Sequence, residues 1–216
     1  MLGLFDSGSG GLNTVRYIKK VAPRVDLVYV IDRENAPYGI KTDEEILDIT
    51  KENIDRLISM RAERVLIACC TASTVWPHLD EAYRRVSIPI IDAVAKEAER
   101  LTRSGRIGVI ATPLTVASHA FQRALPHACV TELPLGELVP LIDGGLSDST
   151  ATSSDEEMLK EMLRPILASD VDTLILGCTH FPSLRRTIGK IAGSYGIKNV
   201  VDSARVGARE LLRQAK

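Results

Sequence analysis

Val65-Leu66-Ile67-Ala68-Cys69 and Leu174-Ile175-Leu176-Gly177-Cys178 are two short apolar runs, each closed by a thiol, 109 positions apart. Such runs suit strands buried on both faces of a parallel sheet, which places each cysteine at a carboxyl end. A second pair recurs at nearly the same distance, with Gly3-Leu4-Phe5-Asp6 returning as Gly108-Val109-Ile110-Ala111, 105 positions on. Buried strands resemble one another by chance, and the matched strand-terminal cysteine is what argues for a true repeat. In open α/β sheets ligands bind at the carboxyl ends of the strands. Two similar lobes facing each other therefore bring Cys69 and Cys178 to opposite sides of one cleft.

Working outward, apolar runs at 2–5, 27–31, 88–91, 107–111 and 199–201 read as further strands. Helical patterns fill 11–21, 42–60, 79–86, 92–102, 115–125, 156–168 and 183–195. Strand-helix alternation with continuously apolar strands predicts an α/β fold: two similar lobes, each a mainly parallel sheet flanked by helices, related by a pseudo-twofold around one cleft. The first lobe is expected to take residues 1–92 and 205–216, the second 93–204. Pro77 interrupts the helix after the Cys69 strand. Residues 144–154, GGLSDSTATSS, have the composition of a mobile loop, and Asp155 is placed to cap the helix after it.

The 216 residues carry 27 Lys+Arg against 28 Asp+Glu, so no electrostatic footprint for nucleic acid or an anionic membrane exists. Aromatic residues are 4% of the chain, too few for base-stacking platforms. No run approaches the roughly 18 apolar residues of a membrane helix. The N-terminus enters a strand at once, without a basic leader or cleavage site, which points to the cytoplasm. The cysteines Cys69, Cys70, Cys129 and Cys178 suit reduced thiols better than a disulfide framework, with Cys129 expected to be structural. The expected partner is a small molecule.

Cys69 and Cys178 each stand near a helix start, where backbone N–H groups and the dipole favour a thiolate and are expected to lower the thiol pKa. One thiolate and one thiol on opposite sides of a carbon acid can invert its configuration without a metal or an organic cofactor. Asp6 and His180, one from each lobe, are candidates to orient or relay protons to them. Residues 6–11, Asp-Ser-Gly-Ser-Gly-Gly, form a turn able to offer backbone N–H groups to an anion. It is not the dinucleotide fingerprint, because Asn13 stands where the third glycine belongs. Pro37-Tyr38-Gly39 reads as a second strand-end loop. Cys178-Thr179-His180 lacks the ligand spacing of a structural zinc site, so no metal is expected. Internal matching leaves one question open, since Cys70-Thr71 pairs with Cys178-Thr179 better than Cys69 does.

Five segments together resemble the glutamate racemases of the aspartate/glutamate racemase superfamily: FDSGSGGL at 5–12, PYG at 37–39, IACCTAS at 67–73, GVIATPLTVAS at 108–118 and LGCTHFP at 176–182. The resemblance implies a cofactor-independent two-base racemase. Cys69, assisted by Asp6, would handle the α-proton of the D-enantiomer. Cys178, assisted by His180, would handle that of the L-enantiomer. Ser7, Pro37, Tyr38, Gly39, Cys70, Thr71, Thr112, Thr115, Thr179 and Asp143 would line the amino-acid site. Two positions depart from the family pattern, with Cys70 in place of an asparagine and Asp143 in place of a glutamate. D-Glutamate serves peptidoglycan synthesis, and the family often forms homodimers. Racemisation of aspartate or another amino acid, and amino-acid binding without turnover, are the alternatives the residues leave open.

Overall fold

Among the described residues, eight strands form two four-stranded sheets, parallel throughout, with orders β2-β1-β3-β4 and β6-β5-β7-β8. The strands are β1 (Leu2–Asp6), β2 (Leu27–Ile31), β3 (Arg64–Ile67), β4 (Ser87–Pro89), β5 (Arg106–Ala111), β6 (Cys129–Pro134), β7 (Thr173–Gly177) and β8 (Asn199–Asp202). The helices are α1 (Leu12–Val21), α2 (Asp43–Ser59), α3 (Cys70–Ser73), α4 (Glu81–Val86), α5 (Ile90–Leu101), α6 (Pro113–Ala117), α7 (Ala120–Ala124), α8 (Leu138–Asp143), α9 (Ser153–Leu167), α10 (Arg185–Ser194) and α11 (Ser203–Arg213). The computed structural model describes residues 1–214; Ala215 and Lys216, assigned above to the first lobe, lie outside the described residues. Among those described, no helix is long and apolar enough to cross a membrane.

The sequence echo is an echo in space. β1 and β3 are the central pair of one sheet, and β5 and β7 are the central pair of the other. Their registers agree, with Gly3 opposite Val65 and Gly108 opposite Leu174. The two glycines do the same job. A Cβ on Gly3 would meet Ala62 at 2.8 Å, Val65 at 3.3 Å and Leu57 at 3.4 Å. One on Gly108 would meet Ile166 at 3.2 Å, Val171 at 3.3 Å and Leu174 at 3.4 Å, each neighbour standing 109 positions after its counterpart. Register also settles which thiols correspond. Phe5 faces Ile67 and Ile110 faces Leu176, so Cys69 matches Cys178, each two residues beyond.

Alternation along the strands sorts side chains into three apolar layers. Phe5, Val30, Val65 and Ile67 pack outward under α2 through Ile46, Ile54 and Leu57. Ile110, Leu174 and Leu176 pack outward under α9 and α10 through Leu159, Leu163 and Ile188. The opposite faces, Leu4 and Leu66 from one sheet and Val109 and Ile175 from the other, join a single middle layer. It also takes in Ile90 and Val94 of α5 and Val206 and Leu211 of α11.

Several local expectations change. β6 was not anticipated: Cys-Val-Thr-Glu-Leu-Pro is an edge strand, half-buried and exposed at both ends, so it shows no continuous apolar run. Cys129 opens it on the surface, which corrects the expectation of a structural thiol. β4 stops at Pro89, and Ile90 and Ile91 are buried as the first turn of α5. His119, in the left-handed region at φ 49°, divides the helix expected over 115–125 into α6 and α7. α9 is capped by Thr152 rather than Asp155; Asp155 is the third helical residue and returns the hydrogen bond, completing a capping box. The 144–154 segment is anchored rather than loose. The Asp148 carboxylate accepts from the backbone N–H groups of Arg186 and Thr187, both at 2.9 Å, at the start of α10.

Candidate active site

The carboxyl ends of β1, β3, β5 and β7 open on one cavity of about 300 Å³ between the sheets. Cys69 and Cys178 both reach it, with Ser7, Pro37, Tyr38, Gly39, Cys70, Thr71, Thr112, Asp143, Thr179 and His180. Two expected members do not. Asp6 is fully buried behind the wall, and Thr115 sits one layer back. Gly8, Ala36, Pro113, Gly136, Val139, Pro140 and Gly177 complete the lining without having been singled out. Val139 and Pro140 give α8 an apolar side facing the cavity, and the run that carries Asp143 was the signal for them. Among the described residues, no lysine or arginine lines the cavity.

Each thiol has its own surroundings. Cys69 lies 3.3 Å from the Ser7 hydroxyl and accepts from the Ala72 backbone N–H at 3.5 Å. Burial nevertheless pushes its thiol up to about 11, helped by the negative charge of Asp6 and opposed by the hydrogen bonds from Ser7 and Ala72. Cys178 is 3.7 Å from His180 Nδ1. Burial drives its thiol further up, against the backbone N–H groups of His180 and Phe181. Cys70, buried beside them, is raised well above its ordinary value for the same reason. The expected lowering does not occur, because α3 is four residues long and desolvation outweighs so short a dipole.

Asp6 ties the lobes together. Its carboxylate accepts from the Gly11 N–H at 2.7 Å and from the Thr179 hydroxyl, which comes from the other lobe, at 3.2 Å. Burial raises its pKa, while His180, Gly11 and Thr179 pull it back. Asn13, read above only as a missing glycine, adds a second tie by donating to the Thr179 carbonyl at 2.9 Å and the Ser183 hydroxyl at 3.1 Å.

Three threonine hydroxyls make a further bridge. Thr71 lies 3.0 Å from Thr112 and 3.1 Å from Thr115, and the latter two are 2.9 Å apart. Thr115 thus orients the two hydroxyls that face the cavity. The loop at 37–39 is held from behind: the Tyr38 hydroxyl donates to Asp32 at 2.6 Å, and Asn53 donates to the same oxygen at 2.9 Å. These bonds, with those from Asn35, overcome burial and hold Asp32 below the usual carboxylate range. Tyr38 therefore shows the cavity its ring and backbone while its hydroxyl points elsewhere. Asp32 was visible as a strand end; Asn53, in the middle of α2, gave no signal.

Residues 12–211 match the family model described as Asp/Glu/Hydantoin racemase. The chain belongs to this racemase family. A glutamate racemase of Exiguobacterium sibiricum is 39% identical over 199 residues, covering 89% of this chain and 72% of the relative. Among solved structures of the family, a glutamate racemase isoform from Bacillus anthracis superposes with a TM-score of 0.87 at 30% identity, covering 99% of this chain and 80% of that one. The glutamate racemase of Francisella tularensis, solved in complex with D-glutamate, superposes with a TM-score of 0.83 at 28% identity, over 99% and 80%. The racemase fold accounts for the paired sheets and the cleft between them.

Proposed function

We propose that this chain interconverts L- and D-glutamate by passing the α-proton between Cys69 and Cys178. The observation that carries the reading is that two thiols, at matched strand ends of a repeated lobe, line one cavity. The Francisella tularensis relative, alike over nearly the whole chain and bound to D-glutamate, supports the substrate.

In the L-to-D direction, His180 Nδ1 takes the Cys178 proton and the resulting thiolate removes the α-hydrogen. The electron pair left on Cα delocalises into the carboxylate, flattening the centre. The Cys69 thiol then protonates the opposite face, leaving a thiolate there and a thiol at Cys178. The reverse reaction starts from that state. Burial favours the protonated form of both thiols, and the substrate ammonium would supply the positive charge that favours ionising one of them. Hydroxyls of Ser7, Thr71 and Thr112, with backbone N–H groups at the strand ends, would hold the carboxylates. Asp6 would act on Cys69 through its field and through the ties it makes, since no hydrogen bond joins the two. The resemblance further supports a cytoplasmic homodimer that feeds D-glutamate to peptidoglycan. It also supports a lobe division at 1–92 with 205–216 against 93–204.

Incubation in heavy water tests the reading. Deuterium is expected at Cα of both enantiomers whichever is supplied. Cys69→Ser and Cys178→Ser should each lower racemisation by roughly 10²–10⁴-fold, the range for loss of a general acid or base. Absence of exchange with glutamate, aspartate and a panel of small amino acids would overturn it.

A further inference from the structure

The turn between β1 and α1 does more than close the floor of the cavity. A Cβ on Gly10 would lie 2.4 Å from Thr179 Oγ1 and 2.8 Å from the His180 backbone nitrogen, and one on Gly8 would lie 3.4 Å from His180 Cε1. The first-lobe backbone is therefore pressed against Thr179 and His180, with Ser9 held between the two glycines. From there the Ser9 hydroxyl donates to Asp143 Oδ1 at 2.6 Å and lies 3.4 Å from His180 Nε2. Asp143 Oδ1 is itself 3.4 Å from Nε2. Both contacts cross from the first lobe to the second.

We propose that Ser9 is a positioning residue that fixes the tautomer of His180 for proton exchange with Cys178. A hydroxyl has one proton and two lone pairs. With the proton given to Asp143, Ser9 can only accept from His180, and Asp143 can only accept as well. Nε2 therefore carries the imidazole proton. In the neutral ring Nδ1 is then left as an acceptor, on the side of Cys178 Sγ at 3.7 Å. The charged and titratable groups around the ring are Cys178, Asp143 and, through its field, Asp6. Among the described residues, Ser9 is the one donor to Asp143 besides the His180 ring itself, and the Asp143 side chain is 48% exposed. Without Ser9 the carboxylate turns to solvent and both acceptors at Nε2 weaken together. The relay on the Cys178 side is thus completed by a residue of the opposite lobe.

The inference rests on the racemase reading, and the test separates the two. Ring ¹⁵N NMR of His180 reads the tautomer directly. The wild-type protein should show the Nε2–H form at neutral pH, Ser9→Ala should shift the ring toward a mixture, and Ser9→Thr should restore it. In kinetics with glutamate, Ser9→Ala should lower kcat/KM roughly tenfold, about one hydrogen bond felt in the transition state. The fall is the same in both directions because the equilibrium constant of a racemisation is one. The primary deuterium isotope effect should rise with α-deuterated L-glutamate and fall toward unity with α-deuterated D-glutamate, since only the Cys178 step slows. An Nδ1–H ring in the wild-type protein, an unchanged ring in Ser9→Ala, or isotope effects that move alike for both enantiomers would overturn the inference. A wild-type protein with the Nε2–H ring and no α-proton exchange would overturn the racemase reading instead.

Discussion

Cys69 follows β3 by two residues with a hydroxyl and a backbone N–H on its sulfur, yet its thiol is pushed up to about 11 from an ordinary 9.0. A group that holds its proton longer in the folded state than in the unfolded one contributes stability fully below the unfolded pKa and loses it as pH rises through the folded one. Stability against denaturant should therefore fall between pH 9 and about 11. Cys69 alone accounts for on the order of 3 kcal/mol. Cys70 and Cys178 shift in the same direction, so Cys69→Ser should flatten the fall in part; a wild-type protein that grows more stable over that interval would contradict the assignment. At this scale the sequence was legible where side chains end strands. Cys69, Cys178, Thr71 and Thr179 could be placed because a strand end next to a cleft is a position along the chain. Asp6 and Thr115 were named, but their place behind the wall depends on side-chain direction, which a motif does not carry. Ser9 was passed over because its partner, Asp143, lies 134 positions away.

The turn at 6–11 fits against the segment after β7 with no space between their backbones. Gly10→Ala would put a methyl 2.4 Å from the Thr179 hydroxyl and 2.7 Å from the Thr179 carbonyl carbon. A backbone cannot yield as a side chain does, so the turn must lift. Displacing a catalytic group by about 1 Å costs roughly a hundredfold. Gly10→Ala should thus lose about that factor in turnover, with a stability cost of roughly 1–3 kcal/mol. Gly193→Ala, on a helix with open space at the position, should leave turnover unchanged and raise stability by up to about 1 kcal/mol. Paired assays and denaturation curves separate the two outcomes. Elements were readable in proportion to their burial. Seven of the eight strands announced themselves as apolar runs, whereas β6, half-buried at the sheet edge, did not. Helix ends shifted where one backbone angle decided them, as at His119, or where a cap lay upstream of the polar residue chosen, as at Thr152.

At the scale of the molecule, two copies of one sheet share a middle apolar layer and present their carboxyl edges to a single cavity. The pseudo-twofold was legible because both copies keep the glycine and the cysteine that their packing and chemistry require. The ties between the lobes, through Asp6, Asn13 and the threonine cluster, were not, since each joins residues brought together only by the finished fold. The cavity they enclose has walls of hydroxyl, thiol, peptide and apolar groups with one carboxylate, Asp143, and one imidazole, His180, and among the described residues no lysine or arginine. Glutamate, with two carboxylates and one ammonium, arrives with a net charge of only about −1 and meets no cationic side chain drawing it in. Its capture is then a matter of unguided diffusion and local fit, in the ordinary range of about 10⁵–10⁷ M⁻¹s⁻¹ rather than the steered one. Ionic strength, which governs encounters between opposite charges over roughly 10 Å, has little to act on. Raising salt from about 20 to about 300 mM, across the range where that screening length falls, should leave kcat/KM for glutamate within about a factor of two, and a steep decline would reveal a cation at the mouth that the lining does not contain.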